Sequence, residues 1–130
     1  MTPLIAFDSD VLIYAASPEH HLGELVAKLF ASPTGQAGVG SVLLLPEILT
    51  KPMRQGSTEE LDVLAGLLSR LALLPCTEPT ANLALVLGVK YGLRAADSVH
   101  LATAVEAGAD AFLTNNMKDF PRTISEVEVI

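Results

Sequence analysis

Two acids one residue apart, Asp8-Ser9-Asp10, close a short apolar run, Leu4-Ile5-Ala6-Phe7. A strand that ends in carboxylates sets hard oxygen ligands at the rim of a sheet, where Mg²⁺ or Mn²⁺ can be held against a phosphate. Further polar groups follow a second apolar run, Ala111 to Thr114: Asn115, Asn116 and then Asp119 in Lys118-Asp119-Phe120. If the two runs are adjacent parallel strands, these residues share one rim of the sheet. Glu47, in Leu43-Leu44-Leu45-Pro46-Glu47-Ile48-Leu49, and Asp97, in Ala95-Ala96-Asp97-Ser98-Val99, interrupt apolar or small-residue surroundings. An ionised carboxylate there is costly unless paired or metal-bound, which separates both from solvated acids such as Glu59, Glu60 and Asp62.

Each residue also suits a plain structural role. Asp10 can cap the helix that follows it, Glu47 behind Pro46 fits a first helical turn, and Asp97 favours a helix N-terminus. Asn115-Asn116 alone reads as a turn. Those roles explain the positions singly, but not why polar groups recur at matching strand and helix ends. No Ser-His or Cys-His set competes as a nucleophilic site, and His100, one helical turn after Asp97, can face the cleft, although a packed or solvated histidine is the preferred reading. Lys51, Arg54, Lys90, Arg94 and Lys118 lie near the candidate acids in sequence and suit an RNA backbone or plain solvation equally.

The elements that must position these groups alternate in type. A strand at Leu4–Phe7 leads into a helix from Val11. Leu22, Leu25, Val26, Leu29 and Phe30 keep helical spacing up to Ser32-Pro33-Thr34-Gly35. A strand at Val39–Leu43 precedes a helix around Glu47 that ends near Gly56. Ser57 and Glu60 form a capping-box pattern ahead of Leu61, Leu64, Leu68 and Leu71. Leu73–Cys76 predicts a short strand, Pro79 opens a helix to Leu93, and another runs from Ala95 or Ala96 to Glu106. A strand at Ala111–Thr114 and an edge strand at Glu126–Ile130 complete the pattern. Strands separated by helices predict an α/β fold with a mainly parallel sheet, whose ligands gather at the carboxyl ends of the strands.

The 130 residues, half of them apolar, fit one compact domain over residues 1–130. The densest apolar stretch, Leu83 to Val89, is far short of the roughly 18 residues a membrane span needs. No basic segment precedes the first apolar run, and the single cysteine, Cys76, allows no internal disulfide, so a cytoplasmic setting is expected, with Cys76 packed as a small hydrophobe. A net charge of −7 excludes a protein that coats nucleic acid through many cations. It leaves open a nuclease, whose bound metal reverses the local field.

Phe7-Asp8-Ser9-Asp10-Val11-Leu12-Ile13-Tyr14, Pro46-Glu47-Ile48-Leu49, Ala96-Asp97-Ser98-Val99-His100-Leu101-Ala102-Thr103-Ala104 and Phe112-Leu113-Thr114-Asn115-Asn116-Met117-Lys118-Asp119-Phe120 together resemble the PIN domain family. Their order and the chain length look like its small prokaryotic members, the VapC-type toxins of toxin–antitoxin pairs. The resemblance implies a three-layer α/β/α sandwich with a mainly parallel central sheet. It also implies a Mg²⁺- or Mn²⁺-dependent ribonuclease whose catalytic and metal-binding acids match Asp8, Glu47 and Asp97. Ser9 and Thr114 match supporting hydroxyls. The fourth acid position holds Asn116 instead, whose amide can ligate but brings no charge, with Asp119 placed to compensate. An RNA substrate, an antitoxin protein and a homodimer are the implied partners; the leucines Leu22, Leu25 and Leu29 can line a groove for an antitoxin peptide or a dimer interface, although core burial is the commoner fate of such a stripe. Two other readings stay in play: a non-catalytic PIN-like module binding RNA or protein, and a phosphatase of the haloacid dehalogenase type. The latter is disfavoured by Val11-Leu12 after Asp10, by the lack of a late Asp-Asp pair and by the short chain.

Overall fold

The structure, a computed structural model, describes residues 3–16, 28–30, 36–116 and 118–130. Five strands, β1 (Ile5–Phe7), β2 (Gly38–Ser41), β3 (Leu71–Leu74), β4 (Ala111–Leu113) and β5 (Glu128–Val129), form one parallel sheet in the order β3-β2-β1-β4-β5. Among the described residues, the helices α1 (Ser9–Ala15), α2 (Leu44–Gln55), α3 (Thr58–Ser69), α4 (Glu78–Tyr91) and α5 (Ala95–Glu106) lie between them. The chain moves outward from β1 through β2 to β3, then crosses to β4 on the other side of β1. The strand order therefore reverses between β1 and β4, and such a switch point opens a crevice at the carboxyl ends of the strands.

The sheet separates two apolar cores, because successive strand residues face opposite sides. Ala6, Val39 and Phe112 pack with Ala84 and Leu87 of α4 and with Leu101, Ala102 and Ala104 of α5. Phe7 and Leu71 pack on the opposite face with Val11 and Leu12 of α1, Leu44 and Ile48 of α2, and Leu64 and Leu68 of α3. This is the α/β/α sandwich. Phe120, fully buried, meets Phe112 edge-on with centroids 5.0 Å apart and so ties the segment after β4 to the core. Among the described residues no helix is long and apolar enough to cross a membrane.

Several sequence expectations shift. The third strand lies at Leu71–Leu74, about two residues earlier than expected, and leaves Pro75 and Cys76 outside it. Cys76 is exposed rather than packed, since it sits in the surface connection to α4. Ser57 does precede α3, but its ψ of 81° is short of the extended cap conformation and its side chain makes no cap bond. The formed capping box is Thr77 with Thr80 at the start of α4, where a threonine takes the place of the usual Glu or Gln. The helical pattern from His20 and its Leu22 and Leu25 lie outside the described residues; Leu29 is 40% exposed.

Close strand approach explains Gly38. A Cβ there would lie 2.2 Å from the Ile5 carbonyl oxygen and 2.7 Å from Phe7 Cε2, and the first of these is backbone that cannot move aside cheaply. Gly38→Ala is expected to lower stability by about 1–3 kcal/mol, as overpacking does. Gly66, inside α3 with open space around it, provides the contrast: Gly66→Ala should raise stability by about 0.5–1 kcal/mol. Urea unfolding of the two variants beside the parent checks both signs.

Candidate active site

The site lies at the switch point. Ile5, Ala6 and Phe7 pair in register with Ala111, Phe112 and Leu113, so the next residues, Asp8 and Thr114, stand side by side. Asp8 is buried, 3% exposed, and both carboxylate oxygens are engaged. Oδ1 accepts from the Ser9 amide at 2.8 Å and Oδ2 from Thr114 Oγ1 at 2.7 Å. Thr114 Oγ1 in turn accepts from the Asn116 amide at 3.0 Å. Asp8 occupies the N-cap position of α1, while Asp10 lies in the first turn and takes the Asn115 amide at 3.2 Å. The capping role expected of Asp10 thus falls to Asp8, because the helix begins two residues earlier than expected, at Ser9.

Two helices bring the remaining acids to this rim. After β2, the buried Ser41 hydroxyl accepts from the Leu43 amide at 3.1 Å and shapes the turn into α2, whose first turn carries Glu47. α5 packs across β1 and β2 with Asp97 in its own first turn. His100 lies one turn on, 2% exposed, and its Nε2 lies 2.9 Å from Glu47 Oε1, so a single contact links α5 to α2. The Ser9 side chain also hydrogen-bonds Glu47. Beyond β4, Asn116 Nδ2 donates to Asp119 Oδ2 at 2.8 Å, and the Phe120 amide donates to the Asn116 carbonyl at 2.9 Å. The amide at position 116 therefore holds Asp119. Asp8, Glu47, Asp97, Ser9, Thr114, Asn116 and Asp119 are all brought together, and Asp10 and His100 join them. For His100 the sequence favoured a packed or solvated role over a place in the site; the signal for the site was the shared helical face with Asp97, three residues before it.

Of the expected guiding cations, Lys90 is elsewhere, bonded to Glu126 at 2.8 Å. Lys51 and Arg54 line a groove with Glu47, and the charge of Arg94 acts on Asp97.

Charge crowding sets the electrostatics. Burial raises the Asp8 carboxyl above its ordinary range, partly offset by its hydrogen bonds to Thr114 and Ser9. Asp10 is pushed up to about 6, by burial and then by the charge of Asp8. Asp97 is raised by burial and by the charge of Asp119. Glu47 moves the other way, lowered chiefly by its hydrogen bond with His100. Hard oxygen donors in surplus, with raised carboxyls, suit Mg²⁺ or Mn²⁺ in donor type and charge. Among the described residues, no group of three His, Cys, Asp or Glu side chains stands close enough together to hold a metal ion without moving.

A carboxyl whose pKa rises on folding weakens the folded state as it ionises. For Asp10 the cost is absent below about pH 4 and complete once the pH has passed about 6. Asp10→Asn keeps an acceptor for the Asn115 amide and removes that cost. In EDTA it should melt above the parent at pH 7, with the difference shrinking towards pH 4. An equal difference at both pH values in thermal melts would contradict this.

Comparison with known proteins agrees with this architecture. No curated protein is a significant match. Among the solved structures that share the fold are these two. One is a toxin–antitoxin complex from Klebsiella pneumoniae, 22% identical over 96% of this chain and 98% of that one, with a TM-score of 0.71. The other is VapBC2 from Rickettsia felis bound to a DNA fragment from its promoter, 16% identical over 98% and 97%, with a TM-score of 0.70. The family model described as the PIN domain matches residues 5–124, nearly the whole chain, with the acid-lined rim inside the match, and the chain belongs to the PIN domain family.

Proposed function

We propose that this protein is a Mg²⁺- or Mn²⁺-dependent endoribonuclease and the toxin of a toxin–antitoxin pair. The observation that carries the proposal is the gathering of Asp8, Glu47, Asp97 and Asp119 at the switch point between β1 and β4. Asp8, Glu47 and Asp97 are the catalytic acids and metal ligands. Thr114 and the Ser9 amide orient Asp8, His100 orients Glu47, and Asn116 orients Asp119. A bound divalent ion would supply charge neutralisation at the phosphodiester and a more acidic water. The chain's own residues need supply no nucleophile. They hold the ion, keep the carboxylates fixed and expose one open side of the rim to the RNA strand.

The toxin part is supported by two of the fold relatives, one described as a toxin–antitoxin complex and the other as VapBC2 bound to promoter DNA. A protein partner is further supported by Leu85, Val86 and Val89, which α4 leaves 66%, 59% and 78% exposed in a cluster that an isolated soluble chain rarely carries.

Purified protein should cleave single-stranded RNA in Mn²⁺ or Mg²⁺ and stop in EDTA. Asp8→Asn and Asp97→Asn should each lower cleavage by at least about 100-fold, as losses at essential charged groups do, with the circular dichroism spectrum unchanged. Cleavage undiminished in both variants and insensitive to EDTA would end the proposal.

A further inference from the structure

One face of α2 carries Glu47, Thr50, Lys51, Arg54 and Gln55, spaced i, i+3, i+4, i+7 and i+8, which aligns them along the helix. They line a groove of about 450 Å³. Resting on the nuclease reading above, we infer that this groove is the track for the RNA strand on one side of the scissile phosphate, with Lys51 and Arg54 each seated on a backbone phosphate.

Three observations point to this occupant. First, the groove is continuous with the acid cluster, because Glu47 lines it while His100 holds Glu47 Oε1. Second, Lys51 and Arg54 are exposed and, among the described residues, have no ion pair, although the chain carries 15 acids against 8 Lys and Arg. Cations left without carboxylate partners in an acidic protein are available to an external anion. Third, at 1.5 Å per residue Lys51 lies about 6 Å and Arg54 about 10 Å along the axis from Glu47. These are of the order of one and two nucleotide steps of an extended strand.

The groove's chemistry also says what is read there. Among the described residues no aromatic side chain lines it, so it lacks the aromatic platform on which successive bases stack. The Thr50 hydroxyl is turned back to the Pro46 carbonyl. What remains are the two cations and the Gln55 amide, which suit phosphate and sugar. The track therefore binds RNA without regard to sequence, and base preference must arise elsewhere along the strand.

The test is fluorescence anisotropy of two short single-stranded oligoribonucleotides of unrelated sequence, in EDTA, across a salt series. Lys51→Gln with Arg54→Gln should weaken binding about tenfold and lower the slope of log K against log salt by about 1.4, or about 0.7 per lost phosphate contact. Both sequences should respond alike, and Arg122→Gln, an exposed cation away from the groove, should change neither. In Mn²⁺ the double variant should raise KM and leave kcat within about twofold, since neither residue touches the acids that carry the reaction. Unchanged affinity and slope would overturn the track, as would an effect on one sequence alone or a parent protein that binds neither RNA. If the slope falls as expected but no protein cleaves RNA in Mn²⁺, the track stands and the nuclease reading fails. Cleavage with an unchanged KM leaves the nuclease reading standing and overturns the track.

Discussion

A carboxylate that is 3% exposed must have its oxygens satisfied, and Asp8 meets that demand with the Ser9 amide and the Thr114 hydroxyl. The demand fixes much else. Thr114 reaches Asp8 only if β4 lies beside β1, parallel and in the register that pairs Phe7 with Leu113. That neighbour relation needs the chain to leave β3 and cross to the far side of β1, which puts α4 and α5 on one face of the sheet and α1, α2 and α3 on the other. The reversal of strand order that satisfies Asp8 is also what opens the crevice. One buried acid and the site's location are thus consequences of the same pairing.

Around Asp8 the acids are kept apart by neutral or cationic partners, and each pairing spans two elements or one tight loop. Glu47 has His100, Asp10 has the Asn115 amide, and Asp119 has Asn116. Asp97 differs: among the described residues it takes no hydrogen bond, and both burial and the charge of Asp119 raise it. Its charge is left for a cation to offset. Asn116 gains meaning in the same light. An aspartate there would set a second negative charge 2.8 Å from Asp119, whereas the amide turns that contact into a donor–acceptor pair. The departure from the usual acid at this position moves negative charge to Asp119 without adding to the crowding.

The sequence carried the alternation of strands and helices, the shared rim of the first and fourth strands, and the distinction between Glu47 or Asp97 and the solvated acids. These are local signals: apolar runs, spacing and a carboxylate out of place. What it did not carry depends on contacts across the fold or on a shift of two residues. His100 meets Glu47 across 53 positions of sequence, and no local pattern separates such a histidine from one packed among apolar neighbours. The exchange of roles between Asp8 and Asp10 follows from where the first helix begins. The capping box at Thr77 hid because Thr80 answers it with a hydroxyl where the pattern asks for Glu or Gln, while Ser57, which fits the pattern, is held in another backbone conformation. Glu47 was singled out for apolar sequence neighbours, yet Leu45 and Pro46 are themselves at the surface. Its importance comes from His100 and Ser9 rather than from burial.

A chain of net charge −7 is a poor match for a polyanion only if charge is counted over the whole molecule. Coulombic forces between exposed groups fade over about 8–10 Å at physiological salt, so a strand responds to the charges it runs past. On α2 those are Lys51 and Arg54, and at the start of α5 the charge of Arg94 already acts on Asp97. On the proposed reading, the acids concentrated at the switch point would repel a phosphate seated among them until a divalent ion offsets them, so metal and scissile phosphate would favour each other's binding there. Excess acid at the centre and exposed cation at the flank would then be complementary: the first would make occupancy by the scissile phosphate depend on the ion, and the second would hold the flanking phosphates with or without it.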